Sequence, residues 1–143
     1  MRRVFLDTNI FIYLLEECGE VTHRAIALLD GMKHRRDELV TSALTVGETL
    51  VKPLSLGDTV WASRYEALFR SPGIAVLPFD RSCSKRFAVI RRDRRCKPPD
   101  AIQLPCAASY GCNLFVTNDN RLSKNRIEGI DFIVSLEQAV SII

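Results

Sequence analysis

Four acidic side chains carry the clearest chemical potential of this 143-residue sequence: Asp7 in FLDTNIFIYLL, Glu48 in TVGETLV, Asp100 in KPPDAIQLPCA and Asp119 in LFVTNDNRL. Each adjoins apolar sequence, although carboxylates are rarely buried unless something pairs with them. Brought together, two ionised carboxylates about 5 Å apart repel by roughly 3 kcal/mol at an effective dielectric of about 20. A fold that gathers four of them needs positive compensation. The preference of Mg²⁺ and Mn²⁺ for hard oxygen ligands makes a divalent cation the natural choice. Such a cation would activate water and offset charge on a phosphate group.

Each acid also has an ordinary structural reading. Asp7 suits a helix N-cap, but Asp7, Thr8 and Asn9 offer three capping residues where one suffices, so a surplus remains. Thr45 and Glu48 fit the Thr-x-x-Glu capping box, with Glu48 beside the stripe Leu44, Gly47, Val51 and Leu54. Asp100 would favour the positive end of a helix. Asp119 lies in TNDN, a turn composition. Ser42 reads as a simple helix cap, and His23 and His34 read as surface residues of a charged helix. Spacing alone leaves convergence of the acids open.

The elements that must position them follow from hydrophobic patterning. Apolar, β-branched runs predict strands over 4–6, 39–41, 74–77, 114–117 and 132–134. Helical patterns cover 21–34, 43–52, 59–70, 80–94 and 99–110, and an all-round apolar helix starts near Ile10. Turn signals stand at Gly57-Asp58, Ser71-Pro72-Gly73 and Gly111. Strands alternating with helices of this length indicate a mostly parallel sheet covered on both faces. Ligands of such sheets bind beyond the carboxyl ends of the strands, where Asp7 and Asp119 fall.

Composition narrows the class. The chain has the length of one domain, and its 47% hydrophobic content supports a core without disulfides. Its five cysteines form no C-x-x-C pair and are expected to be reduced and mostly buried. No secretory leader opens the sequence and no apolar run approaches the roughly 18 residues that span a bilayer, so a cytoplasmic protein without membrane contact is expected. Net charge is only +3, yet RSCSKRFAVIRRDRRCK, residues 81–97, holds eight basic residues against Asp93 alone. On a helix, Arg81, Lys85, Arg92 and Arg95 would recur at helical spacing and contact phosphates; the plainer reading is a solvated face.

In order along the chain, FLDTNIFIYLL, SALTVGETLVKPLSLGD, KPPDAIQLPCA and LFVTNDNRL resemble the PIN domain, specifically the VapC-type toxin ribonucleases of toxin–antitoxin pairs. The resemblance spans essentially the whole chain, 1–143. It implies a single α/β domain whose mostly parallel sheet of about five strands is flanked by helices. It further implies that Asp7, Glu48, Asp100 and Asp119 bind Mg²⁺ or Mn²⁺ for hydrolysis of RNA phosphodiesters, with Asn9 and Thr117 as polar supports. An antitoxin partner and a homodimer come with the family. One departure is Pro105, which lacks the N–H that would bond Ala101 in a continuous helix and leaves the direction of CAASYG in question. Alternatives remain at this level: an RNA-binding module without catalysis, or a DNA-directed nuclease, since carboxylates and metal do not themselves read the 2′-hydroxyl. A haloacid-dehalogenase-like phosphatase would need a second acid two residues after Asp7, where Asn9 stands.

Overall fold

A computed structural model of the protein describes residues 1–119, 121–122 and 126–143. Its strands are β1 (Arg3–Leu6), β2 (Glu38–Ser42), β3 (Ile74–Leu77), β4 (Leu114–Val116) and β5 (Phe132–Val134). Its helices are α1 (Thr8–Leu15), α2 (Glu20–Arg35), α3 (Ala43–Ser55), α4 (Thr59–Arg70), α5 (Arg81–Ile90), α6 (Pro98–Ser109) and α7 (Leu136–Ile142). The strands form one sheet in the order β3-β2-β1-β4-β5, and every pairing is parallel.

The central strand β1 explains the two-sided core. Val4, Phe5 and Leu6 are fully buried and, because strand side chains alternate, they serve opposite faces. Val4 and Leu6 pack with Ile10, Phe11, Leu28, Tyr65 and Leu136 under α1, α2, α4 and α7. Phe5 stacks on Phe115, ring centroids 4.9 Å apart, beneath Cys83 of α5 and Ala101, Leu104 and Ala107 of α6. From β1 the chain runs outward through β2 to β3, then returns to place β4 on the other side of β1. The topological switch point therefore lies between β1 and β4, the position where open α/β sheets form ligand crevices.

Strands β3 and β5 and helix α4 have the bounds that patterning predicts. Other elements differ for identifiable reasons. Helix α1 begins at Thr8 rather than near Ile10, because Asp7 itself caps it and accepts a hydrogen bond from Thr8 N. It is buried on one face only, through Thr8, Ile10 and Phe11. Helix α3 runs on to Ser55 through Pro53. Helix α7 has no counterpart in the patterning: it is seven residues long and is set by a capping box in which Ser135 and Gln138 bond reciprocally. Pro105 is accommodated, with α6 continuous from Pro98 to Ser109 and the ring buried; two prolines in its first turn already suit helix initiation.

The basic segment departs most from expectation. Helix α5 ends at Ile90, not at residue 94. Beyond it the Asp93 side chain accepts from Arg95 N at 3.0 Å, and Arg91 Nη1 donates to the Cys96 carbonyl at 2.7 Å. These local bonds compete with helix continuation. All five cysteines are free thiols, four of them buried. Among the described residues no helix is long and apolar enough to cross a membrane.

Candidate active site

The site grows from the carboxyl ends of β1 and β4. Leaving β1, Asp7 is extended and its N–H donates to Val116 O at 3.0 Å, which locks the two strand ends together. Its Oδ1 accepts from Thr8 N at 2.8 Å and its Oδ2 from Thr117 Oγ1 at 2.8 Å. Thr117, just past β4 and buried, also accepts from Asp119 N at 3.1 Å, so one hydroxyl joins the first acid to the loop of the last. Helix α3 brings Glu48, whose Oε1 accepts from Thr8 Oγ1 at 2.7 Å. Helix α6 brings Asp100 in its first turn.

A buried polar network fixes these helices relative to one another. Gln103, one turn beyond Asp100 and 1% exposed, donates from Nε2 to Thr45 Oγ1 at 2.6 Å and to Thr8 Oγ1 at 3.3 Å. Its Oε1 accepts from Ser42 Oγ. Ser42 thus stands at the N-cap position of α3 without making a side-chain cap, contrary to the simple-cap reading, because its hydroxyl is committed to Gln103. Thr45 lies inside α3, fully buried, and so does not form the expected capping box with Glu48. In the sequence Thr8 and Thr45 read only as helix caps, and Gln103 went unnoticed. The one available signal was a glutamine on an otherwise apolar stretch of α6.

Electrostatics ties the four acids together. Burial is the main force raising the Asp7 carboxyl above its ordinary pKa; bonds from Thr117 and Thr8 oppose it, and the charge of Glu48 adds to it. Asp100 is pushed up to about 6, first by burial and then by Asp7 and Asp119, with Glu48 contributing and Arg121 opposing. Asp119 moves the other way, held below the usual range chiefly by Arg121. That guanidinium forks onto it, Nε to Oδ1 at 3.1 Å and Nη2 to Oδ2 at 2.8 Å. Arg121 is a second residue that sequence reasoning overlooked.

Among the described residues no group of three or more His, Cys, Asp or Glu side chains is already arranged to hold a metal ion. Glu48 and Asp119 are engaged by Thr8 and Arg121 instead. The donor set nevertheless fits a hard divalent cation: it is all oxygen, it is anionic, and its mutual repulsion is visible at Asp100. Asn9 is exposed on the first turn of α1 and bonds no other described residue through its side chain.

The four basic residues do not share a helix face. Arg81 and Lys85 lie on α5, whereas Arg92 and Arg95 lie past its end, with Arg95 forked onto Asp93. Lys85 and Arg86 line a groove of about 560 Å³ between α5, the 126–128 segment and Leu104 of α6. His23 and His34 are exposed on α2, as expected.

Two outcomes follow from this arrangement. Gln103→Leu keeps side-chain volume but strands buried hydroxyls, so urea unfolding should show a loss of about 2–4 kcal/mol, partly recovered when Ser42→Ala and Thr45→Val are added. A loss within about 0.5 kcal/mol would mean that the network bears no weight. For Asp100, a raised pKa means that the folded state holds its proton more tightly than the unfolded chain, so stability falls as pH climbs from the ordinary 3.8 to about 6. Metal-free Asp100→Asn should lack this component and exceed wild type at pH 7 by of order 1 kcal/mol, allowing for screening of a half-buried group. Parallel stability profiles between pH 4 and 7 would contradict it.

The family model of the PIN domain matches residues 4–128. No curated protein is matched by sequence. Among solved structures, VapBC2 from Rickettsia felis bound to a DNA fragment from its promoter is similar with a TM-score of 0.73 at 14% identity, covering 92% of this chain and 97% of that one. DNA-bound VapBC from Salmonella typhimurium gives 0.66 at 22% identity, with 95% and 99% covered. VapC20 of Mycobacterium tuberculosis, described as a sarcin–ricin loop cleaving toxin, gives 0.62 at 17% identity, with 78% and 86% covered. These likenesses concern the fold. The family match reaches from β1 past β4 and so takes in all four acids and the threonines that orient them: the chain belongs to the PIN-domain family.

Proposed function

We propose that the protein is a Mg²⁺- or Mn²⁺-dependent endoribonuclease, a single nuclease domain over residues 1–143, acting in the cytoplasm as the toxin of a toxin–antitoxin pair. The observation that carries the reading is the linkage, at the sheet's switch point, of Asp7 to Glu48 through Thr8 and to the Asp119 loop through Thr117, with Asp100 one turn before Gln103, which bonds Thr8. In this reading those four residues hold the cation. When bound, it supplies an activated water and neutralises charge at the phosphodiester.

The chain's own residues do the positioning. Thr117 orients Asp7 and the Asp119 loop, Thr8 orients Glu48, and Gln103 sets the spacing of α1, α3 and α6. Asn9 projects from the exposed first turn of α1, suited to a supporting contact once substrate is present. Arg81, Lys85, Arg92 and Arg95 position the RNA backbone from α5 and the turn after it, contributing affinity without sequence information. RNA is favoured as substrate by the fold neighbour described as cleaving the sarcin–ricin loop. A protein antitoxin and a second copy of this chain are the proposed partners, the first supported by neighbours that are toxin–antitoxin complexes.

Purified protein incubated with total RNA should cut it with Mn²⁺ and not with EDTA, while Asp7→Asn should leave no turnover and an intact fold by circular dichroism. Binding without turnover would favour the non-catalytic module, and cleavage of single-stranded DNA at the same rate would favour a DNA-directed nuclease. Replacing Arg92 and Arg95 with Ala should flatten the slope of log affinity against log salt by up to about 0.7 per lost single-strand phosphate contact. An unchanged slope would return this segment to a solvated face.

A further inference from the structure

The Asp119–Arg121 pair raises a conflict within the site. Both carboxylate oxygens accept from the guanidinium fork, at 3.1 and 2.8 Å, so a divalent cation bound through Asp119 must sit against a seated positive charge or displace it. A unit positive charge already seated there opposes a second one. We propose that Arg121 and the metal ion compete for Asp119, and that the displaced guanidinium takes a backbone phosphate of the RNA. This rests on the nuclease reading above.

Three features favour the exchange. First, the side chain is not needed for the turn, which is closed by Arg121 N to Asp119 Oδ1 at 2.9 Å and Leu122 N to Asp119 O at 3.0 Å. Second, Arg121 is 62% exposed, so the pair is held weakly and is cheap to part. Third, the guanidinium charge reaches Asp100 as well as Asp119, so it lies within electrostatic range of the acidic cluster at which a phosphate would be engaged. Its planar fork suits phosphate oxygens as well as it suits a carboxylate.

The chain contains its own control. Asp93 and Arg95 repeat the geometry, with backbone N and Nε on Oδ1 and Nη2 on Oδ2. There, however, Arg95 is 89% exposed, and none of the four site acids is among the groups that set the ionisation of Asp93. The same local motif therefore occurs once outside the acidic cluster and once within it.

The test is calorimetric titration of Mn²⁺ into the metal-free full chain without RNA, for wild type, Arg121→Gln and Arg95→Gln, together with RNA cleavage at saturating Mn²⁺ for wild type, Arg121→Gln and Arg121→Lys. Arg121→Gln should bind Mn²⁺ about 2- to 5-fold more tightly, the scale of one exposed ion pair, while Arg95→Gln matches wild type. At saturating metal, Arg121→Gln should cleave at least about tenfold more slowly, with Arg121→Lys retaining part of the rate. Measurable but equal or weaker Mn²⁺ binding by Arg121→Gln would overturn the competition. Undiminished cleavage would overturn the transfer to phosphate. Absence of Mn²⁺ binding in every variant would overturn the metal-site reading itself and the exchange with it.

Discussion

Everything at the sheet's switch point answers to one constraint: a carboxylate, Asp7, is planted where the central strand ends in the core. Burial opposes its charge, and two hydrogen bonds, from Thr8 N and Thr117 Oγ1, are what the fold offers in return. Those bonds have architectural consequences. The first starts α1 immediately after β1, and the second pulls the chain leaving β4 across to the end of β1. Capping and site construction are thus one geometry at Asp7, and a choice between them is not required.

The second layer of organisation is the Gln103 network. Burying an amide and three hydroxyls gains little net stability, since each exchanges water for a protein partner. What it supplies is definition. Apolar contacts alone would let α6 slide against α1 and α3, whereas Gln103 bonds Ser42, Thr45 and Thr8 together only at one relative placement. Since Thr8 in turn holds Glu48, and Asp100 sits one turn before Gln103, that placement fixes the spacing of two acids from different helices. The acids are mutually repulsive, so a rigid frame is what keeps the cluster from relaxing apart.

Strands were legible because each is built on a short apolar run, fully buried in β4, half-buried throughout β3 and starting at exposed Phe132 in β5, where the apolar run still marks both ends. The four acids were grouped in the sequence through the family resemblance alone; the charges of Asp7, Asp119 and Glu48 reach Asp100, and their common role is the proposal made above. Helix α7 was not legible, since seven residues give too little periodicity and only its capping box marks it. The end of α5 was hidden by arginines that are good helix formers; the side-chain bonds of Asp93 decide it locally. Gln103 was hidden for a different reason. A single polar residue on an apolar helix gains meaning only from partners at 42, 45 and 8, which no local pattern connects.

The recurrence of Asp-x-Arg at 93–95 and 119–121 separates local from tertiary causes. In both copies the fork closes within three residues, so neither needs the rest of the fold to form. What differs is the field around them. At 93–95 the pair is self-contained, and both shifts reflect only the two partners and solvent. At 119–121 the guanidinium also feels Asp100, and Asp119 also feels Lys97. A motif that is structurally ordinary by itself acquires chemical meaning from where β4 delivers it, within range of a carboxyl that burial first, and then three other acids, make reluctant to ionise. Sequence writes the pair, but the switch point of the sheet gives its positive charge something to balance.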